Sequence, residues 1–136
     1  MRKIIFFGIG LALIAVVGWG VYKITKTHQN VSGEAADAHL TAVSLYDEFL
    51  KNEDQANKKW VGRVIEISGI ISSISEAGNY VSVNLKGTAE GGINCSLSKK
   101  DLGPDEKINI GDSATIKGKC TGFLMDVNLV DCVIKK

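Results

Sequence analysis

Gly62-Arg63-Val64-Ile65-Glu66-Ile67-Ser68-Gly69-Ile70-Ile71-Ser72-Ser73-Ile74 is the stretch on which the fold turns. Val64, Ile65, Ile67, Ile70, Ile71 and Ile74 are β-branched, a composition that packs well on a pleated, half-buried surface. Gly69 falls in the middle of the run, as a strand requires where it bulges or turns a barrel corner. The expectation is one long bent strand that belongs to two sheets. Shorter strands follow it, and a helix and a tether precede it.

Downstream, Glu76-Ala77-Gly78-Asn79 reads as a turn. Tyr80 to Leu85 then alternates, with Val81, Val83 and Leu85 on one face and Tyr80, Ser82 and Asn84 on the other. Lys86 to Gly92 is a loose glycine-rich loop. Ile93, Cys95 and Leu97 alternate with Asn94, Ser96 and Ser98 in a third strand, and a polar connection from Lys99 to Ile110 contains Pro104 and room for a helical turn. After Gly111-Asp112, Ala114, Ile116, Gly118 and Cys120 face one way in a fourth strand. Gly122 to Met125 turns the chain. The fifth strand begins at Val127 and Leu129, and its inward phase shifts from Leu129 to Cys132, which requires a bulge near Val130.

Upstream, Thr41 can cap a helix over residues 41–60 whose apolar stripe is Val43, Tyr46, Phe49, Leu50, Ala56 and Trp60. Asn52 reads equally as the cap of a second short helix. Tyr46, Phe49 and Trp60 share that stripe, so they are expected to pack on the strands and not to stack a ligand. Residues 24–40 are polar or small, with too little bulk to offset their ordering entropy, and are expected to form a flexible linker. His28 and His39 fall in it with no third ligand nearby, which argues against a metal site.

Ile4 to Tyr22 is an uncharged run of 19 residues. At about 1.5 Å per residue a helix of that length extends roughly 28 Å, close to the hydrocarbon thickness of a bilayer. Residues 1–23 are therefore expected to be a membrane anchor, with Trp19 and Tyr22 in the headgroup region and Lys23 and Lys26 beyond it. A cleaved signal peptide is the rival reading. The length of the run and the lack of a small-x-small cleavage site weigh against it. The expected placement is a single-pass inner-membrane protein with residues 41–136, helix plus barrel, on the extracytoplasmic side.

Five short strands, the first long and kinked, with a longer connection between the third and fourth, is the order of an OB-fold, a small Greek-key barrel. The resemblance then becomes specific. Phe49-Leu50-Lys51-Asn52-Glu53 with Ala56, Trp60 through Gly69, Ile93-Asn94-Cys95, Gly111-Asp112, and Gly118-Lys119-Cys120-Thr121-Gly122 leading to Asp126-Val127-Asn128-Leu129-Val130-Asp131-Cys132 resemble the tRNA_anti-like family over about residues 41–134. The resemblance implies a bacterial OB-fold protein of the kind that is exported or membrane-tethered. It carries over no catalytic residues.

Cys95, Cys120 and Cys132 fall on the third, fourth and fifth strands. In an OB barrel the fifth strand lies between the other two, so Cys132 could approach either partner. Outside the cytoplasm, Cys120 and Cys132 are the expected disulfide because they flank one hairpin. The alternative is three buried thiols acting as small hydrophobes. The cysteines lack the spacing of a zinc site, and no cofactor is expected.

Ligands of OB-folds bind on the second and third strands and the loops beside them. Here that surface comprises Tyr80, Ser82, Asn84, Asn94 and Ser96, with Phe123 in a neighbouring loop. It is polar and uncharged, and Lys26 is followed by 12 basic against 15 acidic residues. Such a balance is a poor match for a phosphate backbone, whose nonspecific affinity comes from Lys and Arg displacing counterions. The expectation is a non-catalytic binding module for a peptide, a glycan or a protein edge. Single-stranded nucleic acid, suggested by the fold alone, is the alternative; such sites need a basic groove and aromatic platforms, whereas Tyr80 and Phe123 are the only aromatics beyond Trp60 and the lysines form no run. No histidine lies in the barrel and no nucleophile or phosphate-loop motif occurs, so an enzyme is not expected.

Overall fold

The structure is a computed structural model that describes residues 31–103 and 106–135. The expected anchor over 4–22 and the first part of the linker, with His28, lie outside the described residues. Among those described, no helix is long and apolar enough to cross a membrane.

The elements run β1 (Ala38–Thr41), α1 (Ala42–Lys51), α2 (Glu53–Trp60), β2 (Val64–Ala77), β3 (Tyr80–Lys86), β4 (Gly92–Ser98), β5 (Ser113–Phe123) and β6 (Val127–Lys135). The strand order is β1-β2-β3-β4-β6-β5, and a β2–β5 pairing closes β2 through β6 into a barrel. As expected, β2 serves two neighbours: Val64 to Ile70 pairs antiparallel with β5, and Ile71 to Ala77 pairs with β3. The partner changes one residue beyond Gly69. The bulge itself is Ser72, the extra residue between the Ile71–Leu85 and Ser73–Asn84 pairs, and its hydroxyl donates to the Asn84 carbonyl at 3.1 Å. Gly69 has a different task. A Cβ there would lie 2.9 Å from the Ala42 Cβ and 3.3 Å from that of Leu85, so the glycine lets the start of α1 sit against the corner.

Alternation fills the barrel. Ile65, Ile67 and Ile71 of β2 meet Val81, Val83 and Leu85 of β3, Ile93, Cys95 and Leu97 of β4, Ile116 and Cys120 of β5, and Val127, Leu129 and Cys132 of β6. The bulge expected near Val130 is present. Three steps on β6, Leu129 to Cys132, span two on β4, Cys95 to Leu97, and Asp131 takes φ 52°. That extra residue turns Cys132 inward.

Thr41 and Ser44 cap α1 reciprocally, each side chain accepting the other's backbone N–H, at 3.1 and 3.3 Å. Asn52 ends α1 and starts α2, its side chain accepting from the Gln55 N–H at 3.1 Å. The buried stripe is Ala42, Leu45, Tyr46, Phe49, Ala56 and Trp60, while Val43 and Leu50 are exposed. The helical period is as expected, but the buried face is rotated because Ala42 and Leu45 point to the barrel. Glu48 joins the helices, accepting from Trp60 Nε1 at 2.8 Å and Lys59 Nζ at 3.0 Å. Burial alone would raise its carboxyl pKa, yet these bonds and the Lys59 and Lys51 charges outweigh it and hold the group below the usual glutamate range.

Residues 31–40, expected to be flexible linker, are folded onto the barrel. β1 runs parallel to β2 from Ala38 beside Ile65 to Thr41 beside Ser68, and the Asp37 N–H bonds the Val64 carbonyl at 2.8 Å. His39 faces Glu66 at 3.2 Å. Before β1, Val31 is buried in a short 3-10 turn, Val31–Gly33. Lys117 is only 4 % exposed and donates to the carbonyls of Ser32, at 3.1 Å, and Glu34, at 2.7 Å. Lys117→Met removes both donors and leaves two carbonyls under-satisfied, at an expected cost of about 1–3 kcal/mol. Hydrogen exchange checks it: the Asp37 amide should lose protection in the variant, and unchanged protection would show that Lys117 does not hold the strap.

Candidate binding face

Because successive strand residues point to opposite sides, the alternation that buries Val81, Val83 and Leu85 turns Tyr80, Ser82 and Asn84 outward. The register places Tyr80 beside Ser98, Ser82 beside Ser96 and Asn84 beside Asn94, so Tyr80, Ser82, Asn84, Asn94 and Ser96 share one outer face as the sequence implied. Tyr80 is 48 % exposed at one end of it. Across β4, Asn94 stands beside Asn128 of β6.

These side chains form a directed chain of hydrogen bonds. The Ser82 hydroxyl donates to Asn94 Oδ1, Asn94 Nδ2 donates to Asn128 Oδ1 at 3.2 Å, and Asn128 Nδ2 donates to the Asp126 carbonyl at 3.0 Å. A carboxamide offers two N–H donors and two acceptor lone pairs. The ladder therefore fixes the orientation of both amides and leaves each with one donor and one acceptor for a ligand. A hollow of about 510 Å³ continues the face past Asn128, lined by Asn57, Thr121, Phe123, Leu124 and Val130. A second, of about 440 Å³, lies at the other end of β3 beside Ser72, Asn84, Lys86 and Asp126.

The β5–β6 hairpin that borders both hollows is held from beneath. Tyr46 donates to the Met125 carbonyl at 3.2 Å, and Asp126 accepts from the Gly92 N–H at 2.7 Å, tying the hairpin to the β3–β4 loop. Burial, then the nearby Asp126 and Glu90 carboxylates, push the Tyr46 hydroxyl pKa up, so it stays a donor. Leu124 and Met125 at the tip are 86 % and 83 % exposed.

Phe123 does not join the outer face. Thr121 is the extra residue between the Cys120–Leu129 and Gly122–Asn128 pairs, so Phe123 falls on the inward side beside the buried Val127. Its ring stacks on Phe49 with centroids 5.6 Å apart and meets Tyr46 edge-on at 5.8 Å. It is thus spent on packing, with its remaining surface lining the larger hollow. The expected Cys120–Cys132 bridge is absent: all three cysteines are free and buried. Cys120 stands beside Leu129, and Cys132 stands beside Leu97 of β4.

Asn128 is the residue that sequence reasoning left out. The alternation of Val127 and Leu129 with Asn128 already pointed it outward, and the OB strand order already put its strand beside β4. The face offers neutral donors and acceptors and one ring, with Lys86 and Lys119 exposed at its margins. Among the described residues no group of three His, Cys, Asp or Glu could hold a metal ion.

No curated protein matches the chain. Among solved structures, a Klebsiella pneumoniae lipoprotein proposed to bind nucleic acid superposes with TM-score 0.61 at 18 % identity, over 71 % of this chain and 91 % of that one. The S. pombe Stn1-Ten1 complex matches at TM-score 0.41 and 18 % identity, over 49 % and 52 %. Asparaginyl-tRNA synthetase of Pyrococcus horikoshii matches at 0.44 and 12 %, over 57 % of this chain and 19 % of the enzyme. At 18 % identity the likeness to the Klebsiella lipoprotein is one of fold, and it agrees with the barrel traced above. The tRNA_anti-like family model matches residues 1–134, and the chain belongs to that family.

Proposed function

We propose that this protein is a non-catalytic binding module whose outer β3–β4–β6 face takes short single-stranded nucleic acid, and that residues 4–22 tether it to a membrane with the barrel on the extracytoplasmic side. The observation that carries the reading is the Ser82–Asn94–Asn128 ladder. It presents two oriented amides beside a half-exposed tyrosine, which suits base edges and a base face. The fold shared with a lipoprotein proposed to bind nucleic acid supports the ligand class. It also moves the preference away from the peptide or glycan expected from charge alone. The tether rests on the length and flanks of the apolar run.

With Lys86 and Lys119 as the cations at its edge, such a face neutralises about two phosphates. The dependence of log K on log salt should then be shallow, with a slope of about −1.4 for single strands. Anisotropy titrations of labelled ten-nucleotide RNA and DNA between 50 and 200 mM salt test this. Tyr80→Ala should weaken binding roughly 5- to 100-fold, the effect of one lost stacked base. No binding, or a steep slope that is indifferent to Tyr80, would refute the reading.

A second reading has its own observation. Leu124 and Met125 at the hairpin tip expose more apolar surface than a polar ligand would use, and a protein partner would cover them. That reading requires affinity sensitive to Leu124→Ser and indifferent to Tyr80→Ala.

A further inference from the structure

We propose that the hollow between α2 and the β5–β6 hairpin takes one base of the bound nucleic acid, with Asn57 as the residue that reads its edge; this rests on the nucleic-acid reading above. It brings in a helix that precedes the barrel, and so a residue that strand alternation cannot reach.

The hollow, of about 510 Å³, adjoins the ladder directly, because Asn128 is the last amide of the ladder and also lines the hollow. A nucleic acid lying across β3, β4 and β6 meets it next. Among the described residues, none that lines it is charged. Phe123, Leu124 and Val130 give it an apolar wall, while Asn57, Thr121 and Asn128 supply a few polar groups, the usual make-up of a site for a small ring with polar edges. A phosphate finds no cation in that lining, whereas a base finds both a wall and partners.

Asn57 is the group there with no other task. The position that a Cβ on Gly122 would take lies 3.7 Å from Asn57 Oδ1 and 4.0 Å from Val61 Cγ2, so the end of α2 rests against the base of the hairpin. Asn57 is half-buried, and among the described residues its carboxamide has no hydrogen-bond partner. Asn94 and Asn128, by contrast, are each held at both ends by the ladder. The Thr121 hydroxyl donates to the Asn128 carbonyl at 3.1 Å, which leaves its oxygen as an acceptor. A free carboxamide sets one donor beside one acceptor, the complement of the N6–H and N7 pair on adenine. In a single strand that edge is open to reading. Adenine is therefore the base expected.

The test titrates the full chain in detergent with labelled uridine decamers that carry adenosine, guanosine or cytidine at a central position, followed by anisotropy. Adenosine should strengthen binding over uridine by roughly 5- to 150-fold, the range for one well-made pair of bonds to a base edge. Asn57→Ala should abolish that gain while the unfolding midpoint stays at the wild-type value, since the side chain bonds nothing else in the fold. Tyr80→Ala should weaken every decamer alike and leave the gain in place. Binding with no preference for adenosine, or a preference that survives Asn57→Ala, would overturn the pocket and leave the outer face as the site. Failure of every decamer to bind would overturn the pocket together with the ligand class.

Discussion

Gly69→Val is expected to lower the stability of the barrel by about 3 kcal/mol, although valine suits a strand better than glycine does. Propensity points one way and packing the other, and the magnitudes decide. The preference for valine in a strand is worth at most about 1 kcal/mol. Against it, the first added carbon already lies 2.9 Å from the Ala42 Cβ and 3.3 Å from the Leu85 Cβ, and valine adds two more beyond it. Ala42 is 1 % exposed at the first turn of α1 and Leu85 is fully buried, so neither side can yield without moving the helix or β3. Thermal unfolding followed by circular dichroism should show a midpoint lower by roughly 15 °C. Ala42→Gly in the same chain should recover part of the loss, because it removes one of the two collisions. A midpoint at or above that of the wild type would mean that α1 does not rest on the β2 corner.

Phe49→Ala carries the other large effect. Phe49 is 1 % exposed and stacks on Phe123, the inward residue at the end of β5, so its ring connects α1 to the hairpin that borders the binding face. Truncating a buried phenylalanine costs about 3–5 kcal/mol, from lost transfer energy and the cavity left behind. Urea unfolding should show the midpoint reduced with little change in slope, the sign of lost stability in an otherwise similar native state. The same variant frees Phe123, so amide protection at Asn128 should fall more than at Val83 on the far side of the barrel. Equal losses at the two sites would mean that Phe49 stabilises the domain without holding the hairpin.

What the sequence disclosed and what it hid separate along one physical line. Features written in side-chain periodicity were legible: the two-partner strand, the alternation of β3 and β4, and the phase slip that foretold the β6 bulge. The split at Asn52 and the cap at Thr41 were legible for a related reason, since both are local hydrogen-bonding choices of single side chains. The fold of residues 31–41 was not. Ala38, His39, Leu40 and Thr41 carry little apolar bulk, and their strand is ordered by backbone bonds to β2 and by a lysine 85 residues from Ser32. No local pattern records such a partner.

The candidate face divides in the same way. Ser82 and Asn94 follow from alternation alone, whereas their bond to each other and onward to Asn128 depends on register across three strands. Phe123 was misplaced because the extra residue at Thr121 shifts its phase, and a tight hairpin shows no alternation from which to read such a shift. The cysteines illustrate the point again. Proximity in sequence favoured Cys120 with Cys132, while the register sets Cys120 beside Leu129 and Cys132 beside Leu97 of β4.

The most direct test of the account is a backbone amide shift titration of the full chain in detergent with unlabelled ten-nucleotide single-stranded RNA. Perturbations are expected at Tyr80, Ser82, Asn94, Ser96 and Asn128, with β1 unmoved. Shifts confined to the helices or the Lys117 side of the barrel, or none at millimolar RNA, would contradict it.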